Sequence, residues 1–200
     1  MTRVMPERPV TTDATGMRPP APKHRQPPRR ATVAVRRAAA RPMSAFARLR
    51  TQHRAMLARL TQFERQLRRP ARRAPVPVAA FRTMARWLAG AFAVHMAAED
   101  GVLYPALARE LPELTLTLEP LRADHLELAQ MTASLQRQLG APASAERDEQ
   151  LGVLGRDIVD LLRLHIRTEE HSVFDWSERV LAPATLRAIR ARLSRYLTGR

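Results

Sequence analysis

The sequence predicts an all-α protein, an up-down-up-down bundle of four helices followed by a short C-terminal helix. Two observations carry this prediction. From residue 44 onwards, apolar residues recur at helical spacing in four long segments, and no segment alternates between apolar and polar residues as a β-strand does. The connections between these segments are of modest length, which is typical of antiparallel neighbours in a bundle.

Before the helical segments, residues 1–42 form an Arg- and Pro-rich stretch without periodicity. It holds ten basic residues against two acidic ones and few large apolar side chains, so we predict a disordered tail. The tail contacts nucleic acid or an acidic partner in one interpretation; in the other it is a solvated extension or a misassigned start. We favour the second, because no aromatic side chain is interleaved for base stacking, and we expect His24 to be inert. Residues 43–200 are the predicted bundle domain.

The composition excludes several kinds of site. The chain of 200 residues is 45% hydrophobic, which is enough for one domain with a core, and it contains no cysteine. Disulfides, thiolate metal sites and cysteine nucleophiles are therefore excluded. No apolar run approaches the length of a membrane span, so we expect a soluble, cytoplasmic protein without a membrane partner. The net charge of +15 rests almost wholly on arginine and is weak support for a nucleic-acid partner.

The first two helices are predicted from their apolar stripes. The first begins at Ser44, a favourable N-cap residue, and stops before Arg69 and Pro70. Its stripe consists of Phe46, Leu49, His53, Met56, Leu60 and Phe63. A loop over residues 70–77 leads to the second helix, and Pro105 either ends this helix or starts a short following turn. Its stripe consists of Phe81, Met84, Leu88, Phe92, His95, Glu99 and Val102.

The third helix is predicted to open near Pro120 and to close at Gly140. Its stripe consists of Leu121, His125, Leu128, Met131 and Leu135. After a loop over residues 141–144, the fourth helix carries Leu151, Leu154, Ile158, Leu161, His165 and Glu169. Pro183 then starts a short amphipathic helix, which turns Leu186, Ile189, Leu193 and Leu197 inward and arginines outward.

One motif occurs twice and organises the chain. His95 and Glu99 repeat as His165 and Glu169, in each case followed by a second acid and by an aromatic residue nine positions after the histidine. Residues four apart lie on one face of a helix, about 6 Å apart along its axis, so each pair can point at a common target. A further histidine precedes each motif, His53 by 42 residues and His125 by 40. The chain therefore reads as an internal duplication.

Six polar residues occupy stripe positions where leucine or phenylalanine is expected. They are His53, His95, Glu99, His125, His165 and Glu169. Burying this set without partners is costly, because each charged group loses its hydration. Metal ions remove the difficulty, since they bind neutral imidazole and ionised carboxylate. The alternative is that the residues form hydrogen-bonded His–Glu pairs or face water. His171 lies off the stripe, and we predict that it is a surface residue.

Six ligands and two matching halves predict two metals. In the arrangement we expect, each metal takes two histidines, Glu99 and Glu169 bridge the pair, and a solvent-derived oxygen completes the bridge. Mixed imidazole and carboxylate donors favour two iron ions over manganese or zinc. The Glu-x-x-His pattern of ferritin-like bundles is excluded, because no glutamate stands three residues before a stripe histidine. We expect Phe92, Leu128 and Leu161 to line the ligand pocket.

The motif resembles the hemerythrin-type HHE cation-binding domain over residues 44–197. The paired histidines, the two His-x-x-x-Glu repeats and the aromatic after each, including Tyr104-Pro105, carry the resemblance. It implies the four-His, two-Glu type, similar to bacterial di-iron proteins that respond to nitric oxide and repair iron–sulfur centres. Oxygen carriers of the family add a fifth histidine where this chain has Ala129, and their acid five residues after the last histidine corresponds to Glu170. We prefer Glu169, with Glu170 as the alternative ligand.

Two departures from the family pattern concern function. Phe174 is followed by Asp175 instead of proline, and the cysteine-bearing N-terminal domain of many repair proteins is absent from this sequence. The leading hypothesis is a non-haem di-iron protein that binds or senses O2 or NO, or handles iron in oxidative or nitrosative stress. One alternative is a di-iron enzyme or an iron donor in iron–sulfur cluster repair. The other is a module that binds nucleic acid through the basic tail and the Arg-rich last helix, with the metal as a sensor or a structural support.

Overall fold

The computed structural model describes residues 46–68 and 76–198, and these residues confirm the predicted all-α bundle. The first helix, α1, spans Ala47–Leu67. The second rod, α2, covers residues 78–110 and contains two π-helical turns. Its successive segments are Val78–Trp87, the π turn Leu88–Phe92, Ala93–Ala98, the π turn Glu99–Leu103, and Tyr104–Glu110.

The second half of the chain repeats this plan. A short 3-10 turn, Pro112–Leu114, leads into α3, which spans Thr115–Gly140. The fourth rod, α4, covers residues 145–180. It consists of Ala145–Thr168, the π turn Glu169–Phe174 and Asp175–Val180. The C-terminal helix, α5, spans Pro183–Thr198. Helix α4 begins after the predicted loop, because the side chain of Ser144 accepts a hydrogen bond of 3.1 Å from the backbone N–H of Arg147.

Two prolines lie inside the rods. Pro105 lies in the first turn of the segment Tyr104–Glu110, which agrees with the alternative that it starts a following element. This element is not separate from α2, because the π turn before it keeps the helix continuous. The predicted start of the third helix near Pro120 is wrong, because α3 begins five residues earlier and includes this proline. Pro120 deprives the carbonyl of Leu116 of its helical partner, but both residues are exposed, so water can satisfy that carbonyl.

Two apolar clusters fill the bundle, one toward each end. The Tyr104 cluster includes Phe46, Leu49, Leu103, Tyr104, Leu107, Leu121, Val173 and Phe174, and α5 packs on it through Ile189 and Leu193. The Phe81 cluster includes Leu60, Phe63, Phe81, Leu88, Phe92, Leu128, Leu135, Leu151, Ile158 and Leu162. Along α1 and α3 the chain passes from the Tyr104 cluster to the Phe81 cluster, and along α2 and α4 it passes back. The first four rods therefore run up, down, up and down.

Several predictions concern residues beyond the described ranges. The tail over residues 1–42 with His24, the N-cap assigned to Ser44, and most of the loop over residues 70–77 lie outside the described part of the chain. Among the described helices, none is both long and apolar enough to cross a membrane.

Candidate metal centre

Six polar side chains lie at the level where the two apolar clusters meet. Each of the four long rods contributes one histidine there, and α2 and α4 each add a glutamate. None of the six is more than 4% exposed to solvent. They are the six residues singled out in the sequence: His53, His95, Glu99, His125, His165 and Glu169.

The first group of donor atoms comes from α1, α2 and α4. His95 Nε2 lies 2.8 Å from Glu99 Oε1, one helical turn further along α2. His53 Nε2 lies 3.2 Å from Glu169 Oε2 and 3.8 Å from Glu99 Oε1. One donor atom from each of these four residues lies within 4.8 Å of the others, close enough to hold one ion. This group therefore offers two imidazoles and two carboxylates.

The second group comes from α3, α4 and the shared Glu99. His125 Nε2 lies 3.5 Å from Glu99 Oε2, and His125 Nε2 and His165 Nε2 are 3.2 Å apart. Donor atoms from these three residues also lie within 4.8 Å of one another. Glu99 turns one oxygen to each group, whereas Glu169 belongs to the first group only. The structure thus holds two adjacent donor groups joined by one carboxylate.

In each of the four buried histidines, the other ring nitrogen is hydrogen-bonded to a side chain on the neighbouring rod. His95 Nδ1 donates to Gln52 on α1 at 3.0 Å, and His125 Nδ1 donates to Asp100 on α2 at 2.9 Å. His165 Nδ1 donates to Asp124 on α3 at 3.2 Å, and His53 Nδ1 donates to Glu170 on α4 at 3.0 Å. These four bonds form a closed ring around the bundle, and we call their acceptors the outer acceptors. Acceptors of this kind fix the tautomer and orientation of metal-binding histidines.

The outer acceptors determine what the inner nitrogens can do. A neutral imidazole has one N–H group, and each of the four histidines uses it at Nδ1. Each Nε2 atom then carries a lone pair. The Nε2 atoms of His53 and His95 are 3.1 Å apart, and those of His125 and His165 are 3.2 Å apart. Two lone pairs at this distance repel each other unless a cation lies between or beside them.

The carboxylates lead to the same conclusion. The oxygens of Glu99 and Glu169 are fully buried and make no hydrogen bond of acceptable geometry within the described residues, although the imidazoles lie at ion-pair distance. A buried carboxylate without partners is strongly disfavoured. Metal ions satisfy such oxygens and facing imidazole lone pairs together, so the donor set fits a pair of metals.

Without metals, protons partly compensate these charges. Burial lowers the pKa of His53, but the adjacent carboxylates of Glu169 and Glu99 outweigh it and raise the pKa to about 10. Burial also opposes ionisation of Glu99, yet its interactions with His95 and His53 hold the pKa of this carboxyl below its usual value. Burial and the charge of Glu99 raise the pKa of Glu169. The two carboxylates thus have different surroundings, because the oxygens of Glu99 face histidines of both groups.

Aromatic rings cover the histidines. The ring of Phe174 stacks on His53 with centroids 5.6 Å apart, and the ring of Phe92 lies against His95 at 6.2 Å. Tyr104 stacks on His125 at 5.6 Å. Burial, together with the carboxylates of Glu169 and Glu99, raises the pKa of Tyr104 above its ordinary value. These rings exclude water from the centre and restrict what can reach it.

The remaining residues considered in the sequence lie elsewhere. Glu170, the alternative ligand, turns away from the inner oxygens and bonds His53 Nδ1 from outside. His171 is exposed and pairs with Asp175 at 3.5 Å. Ala129, at the place of the fifth histidine of oxygen carriers, is exposed. Phe92 and Leu128 are buried as expected for lining residues, but Leu161 is only half-buried, because the helical rotation turns Leu162 inward instead.

Sequence reasoning missed three of the four outer acceptors, Gln52, Asp100 and Asp124. A signal was present, because each of them adjoins a stripe histidine or glutamate in the sequence. A residue one position away points about 100° around the helix, toward a neighbouring rod. Such a side chain can therefore reach the histidine of that rod.

Comparison with known families agrees with this geometry. The model of the hemerythrin HHE cation binding domain matches residues 44–177, which is more than half of the chain. Neither the curated proteins nor the solved structures contain a match. The six buried donors lie within the matched residues, and together these findings identify a metal-binding protein. The chain belongs to the hemerythrin HHE cation-binding domain family.

Proposed function

We propose that the protein is a non-haem di-iron protein that binds or senses O2 or NO, or handles iron, in oxidative or nitrosative stress. The observation that carries the proposal is the pairing of the four inner Nε2 atoms, two pairs of donors that face each other at 3.1 and 3.2 Å. Since every Nδ1 atom is already bound to an outer acceptor, both pairs are available to cations.

The donor groups suggest which residues would hold which metal. His53 and His95 would hold one ion, and His125 and His165 the other. Glu99 would join the two, because its oxygens face different groups. Glu169 would complete the first group, and the sequence-based expectation that it also bridges remains a prediction. The outer acceptors would keep the imidazoles oriented and raise their basicity.

The donor types favour iron. Imidazole suits iron, zinc and copper, whereas carboxylate suits harder ions, and a mixture in a two-metal centre is typical of non-haem iron. Manganese and zinc are the less favoured alternatives. Iron would supply a changeable redox state and affinity for O2 and NO. With only two carboxylates among six donors, we expect the centre to support reversible ligand or electron chemistry over strongly oxidising chemistry.

The enclosure supports a small ligand. All six donors are almost completely buried, and aromatic rings cover three of the four histidines. A ligand of two or three atoms is compatible with this enclosure, whereas an organic substrate would need the rods to separate. This contrast supports binding or sensing over the conversion of a larger substrate.

The proposal is tested by titrating reduced, iron-loaded protein with NO and with O2 while the optical spectrum is recorded. We expect a saturable spectral change with a fixed stoichiometry per iron pair, reversed when the gas is removed. Rapid turnover with an added electron donor would favour the enzyme alternative. A loaded protein whose spectrum responds to neither gas would refute ligand binding.

A further inference from the structure

The described helices divide their charges between two sides of the bundle. Residues 46–68 and 76–98, which hold α1 and the first part of α2, contain eight arginines and one acidic residue, Glu64. Helix α5 adds four arginines and no acidic residue. In contrast, α3 and α4 together carry twelve acidic residues against seven arginines. The number of arginines says little about function, but their separation from the carboxylates is a property of the fold.

The three basic elements lie together. The guanidinium of Arg48 on α1 donates to the carbonyl of Leu197 on α5 at 3.3 Å. On α2, a Cβ atom at Gly101 would lie 4.0 Å from the ring of Tyr196 on α5. Helix α5 thus covers one end of α1 and α2, while α3 and α4 pack against each other on the other side of the bundle.

The arginines on the basic side are exposed and lack counter-charges. The ion pairs that arginines form within the described residues involve Arg50, Arg109, Arg147 and Arg163. The remaining exposed arginines of α1, α2 and α5 have no carboxylate at ion-pair distance there. Unpaired cations gathered on one side create a field that attracts a polyanion. We call them the arginine face, which consists of the four arginines of α5 and of Arg48, Arg54, Arg59, Arg65, Arg82 and Arg86.

The dimensions of this face suit the phosphates of a nucleic-acid duplex. From Arg48 to Arg65, α1 extends about 26 Å, and a DNA duplex carries about 15 phosphate charges over that length. The planar guanidinium binds a phosphate through two parallel hydrogen bonds. The groove between α1 and α2 adds neutral donors beside Arg59, namely Gln62, Gln66 and Thr83. Side chains of these types are common partners of phosphate and sugar oxygens.

Other polyanions fit the face less well. A membrane surface would require apolar anchors beside the arginines, but five of the seven exposed large hydrophobic residues lie on α3 and α4. A single strand would require several exposed aromatic rings for base stacking. Tyr196 is the exposed aromatic residue of the described chain, and Trp87 is half-buried with the guanidinium of Arg59 over its ring at 5.4 Å.

We infer that the arginine face binds duplex DNA through the phosphate backbone, without contacts that read the base sequence. This function goes beyond the proposed binding of O2 or NO and does not require the metals. None of the arginines of the face contributes a donor atom to the metal centre. The two functions can therefore be tested separately.

The experiment measures binding of the full chain to a short fluorescent DNA duplex by anisotropy at several salt concentrations. The test variant combines Arg54→Gln, Arg65→Gln and Arg86→Gln, which are exposed and belong to the face. We expect its affinity to fall at least about tenfold, and the slope of log affinity against log salt to become shallower by about three, since three phosphate contacts are lost.

A matched control removes the same charge from the opposite side. It combines Arg137→Gln, Arg156→Gln and Arg179→Gln, three exposed arginines on α3 and α4. The tail and the net charge are then identical in the two variants, so a difference between them reports the position of the arginines. We expect the control to keep the salt slope of wild type.

A second variant keeps the test decisive if the first does not fold. It combines Arg187→Gln and Arg195→Gln on α5, and we expect the salt slope to become shallower by about two. Equal weakening by the face and control variants would overturn the inference, because affinity would then follow net charge alone.

Two competitors complete the experiment. We expect unlabelled duplex to displace the probe more effectively than a single strand of the same length or than polyglutamate. A single strand that competes better would overturn the assignment to duplex DNA, and polyglutamate that competes as well would assign the face to an acidic protein. A wild-type chain that binds no duplex would refute the inference and leave the proposed metal function untouched.

Discussion

At the scale of single residues, adjacent acidic side chains have different roles. Glu169 points into the centre with both oxygens buried, whereas Glu170 bonds the outer nitrogen of His53 and is partly exposed. Glu99 and Asp100 form the same kind of pair on α2, with Asp100 bound to His125. Helical geometry explains the difference, because one residue corresponds to a rotation of about 100°.

The pair on α4 gives a prediction about metal binding. Glu169→Gln should lower the metal content below that of wild type, because it removes a charged donor from the first group. Glu170→Gln should retain the metals but weaken their binding by about 10- to 100-fold, as expected for an outer partner of a ligand. Metal content after dialysis and competition with a chelator measure the two effects. Equal metal loss in both variants would contradict these roles.

At the scale of the elements, the sequence predicts the helices better than their irregularities. The stripe positions of the six donors follow from helical periodicity, and all six lie in the core. The three π turns could not be predicted, because a π turn changes hydrogen bonding without a distinct residue pattern. For this reason the sequence shows an aromatic residue nine positions after His95 and His165 but does not predict the hydrogen bond from the N–H of Tyr104 to the carbonyl of Glu99, five residues earlier.

The contact of α4 with α1 and α2 depends on a glycine. A Cβ atom at Gly155 would lie 2.8 Å from Cε1 of Phe81 and 3.3 Å from Cε1 of Phe63. Gly155→Ala should therefore lower the free energy of unfolding by about 1–3 kcal/mol, through overpacking. Gly90→Ala is the control, because nothing lies within 4 Å of the added Cβ; there we expect a gain of up to about 1 kcal/mol. Urea unfolding of metal-free protein measures both, and a stabilising Gly155→Ala would contradict this packing.

An ion pair between α1 and α4 makes stability depend on pH. The guanidinium of Arg163 donates to both oxygens of Glu64 at 2.9 and 2.8 Å and holds the pKa of this carboxyl below its usual 4.5. A lowered folded-state pKa contributes stability that is present above pH 4.5 and is lost as the pH falls through the folded value. Since both side chains are about a third exposed, the contribution should be below about 1 kcal/mol.

The variant Glu64→Gln tests this dependence. It should be slightly less stable than wild type at pH 7, and the difference should shrink as the pH is lowered below 4.5. Glu127→Gln is the control, because Glu127 is exposed and forms no ion pair within the described residues. Unfolding midpoints of the metal-free proteins between pH 7 and pH 3 measure the effect. A difference that grows toward low pH would show that the sign is wrong.

At the scale of the whole molecule, the centre joins the four long rods between two apolar clusters. The order of the rods and the place of the six donors were predictable, since both follow from apolar periodicity. The ring of outer acceptors and the unequal donor groups were not predictable from the sequence. They depend on how neighbouring rods are rotated and offset, and periodicity within one helix does not specify this. Residues 1–42 lie outside the described chain, and their predicted disorder remains a prediction.

This arrangement predicts that metals stabilise the bundle. Removing them leaves four imidazoles and two carboxylates buried at one level, compensated only by protons such as the one on His53. A ligand that binds only the folded chain raises its stability, so the unfolding temperature of loaded protein should exceed that of chelated protein. Differential scanning calorimetry with and without bound metal measures the difference. Equal unfolding temperatures would mean that the six residues form a self-sufficient polar core.

Metal content per chain measures whether the six buried residues hold two metal ions. Protein expressed with iron is analysed aerobically for metals and for its optical spectrum, together with His95→Ala and the exposed-site control His171→Ala. We expect about two irons per chain with near-ultraviolet bands of a bridged pair, a clear loss of metal in His95→Ala and no loss in His171→Ala. One zinc or no metal in a folded wild type, or equal loss in both variants, would contradict it.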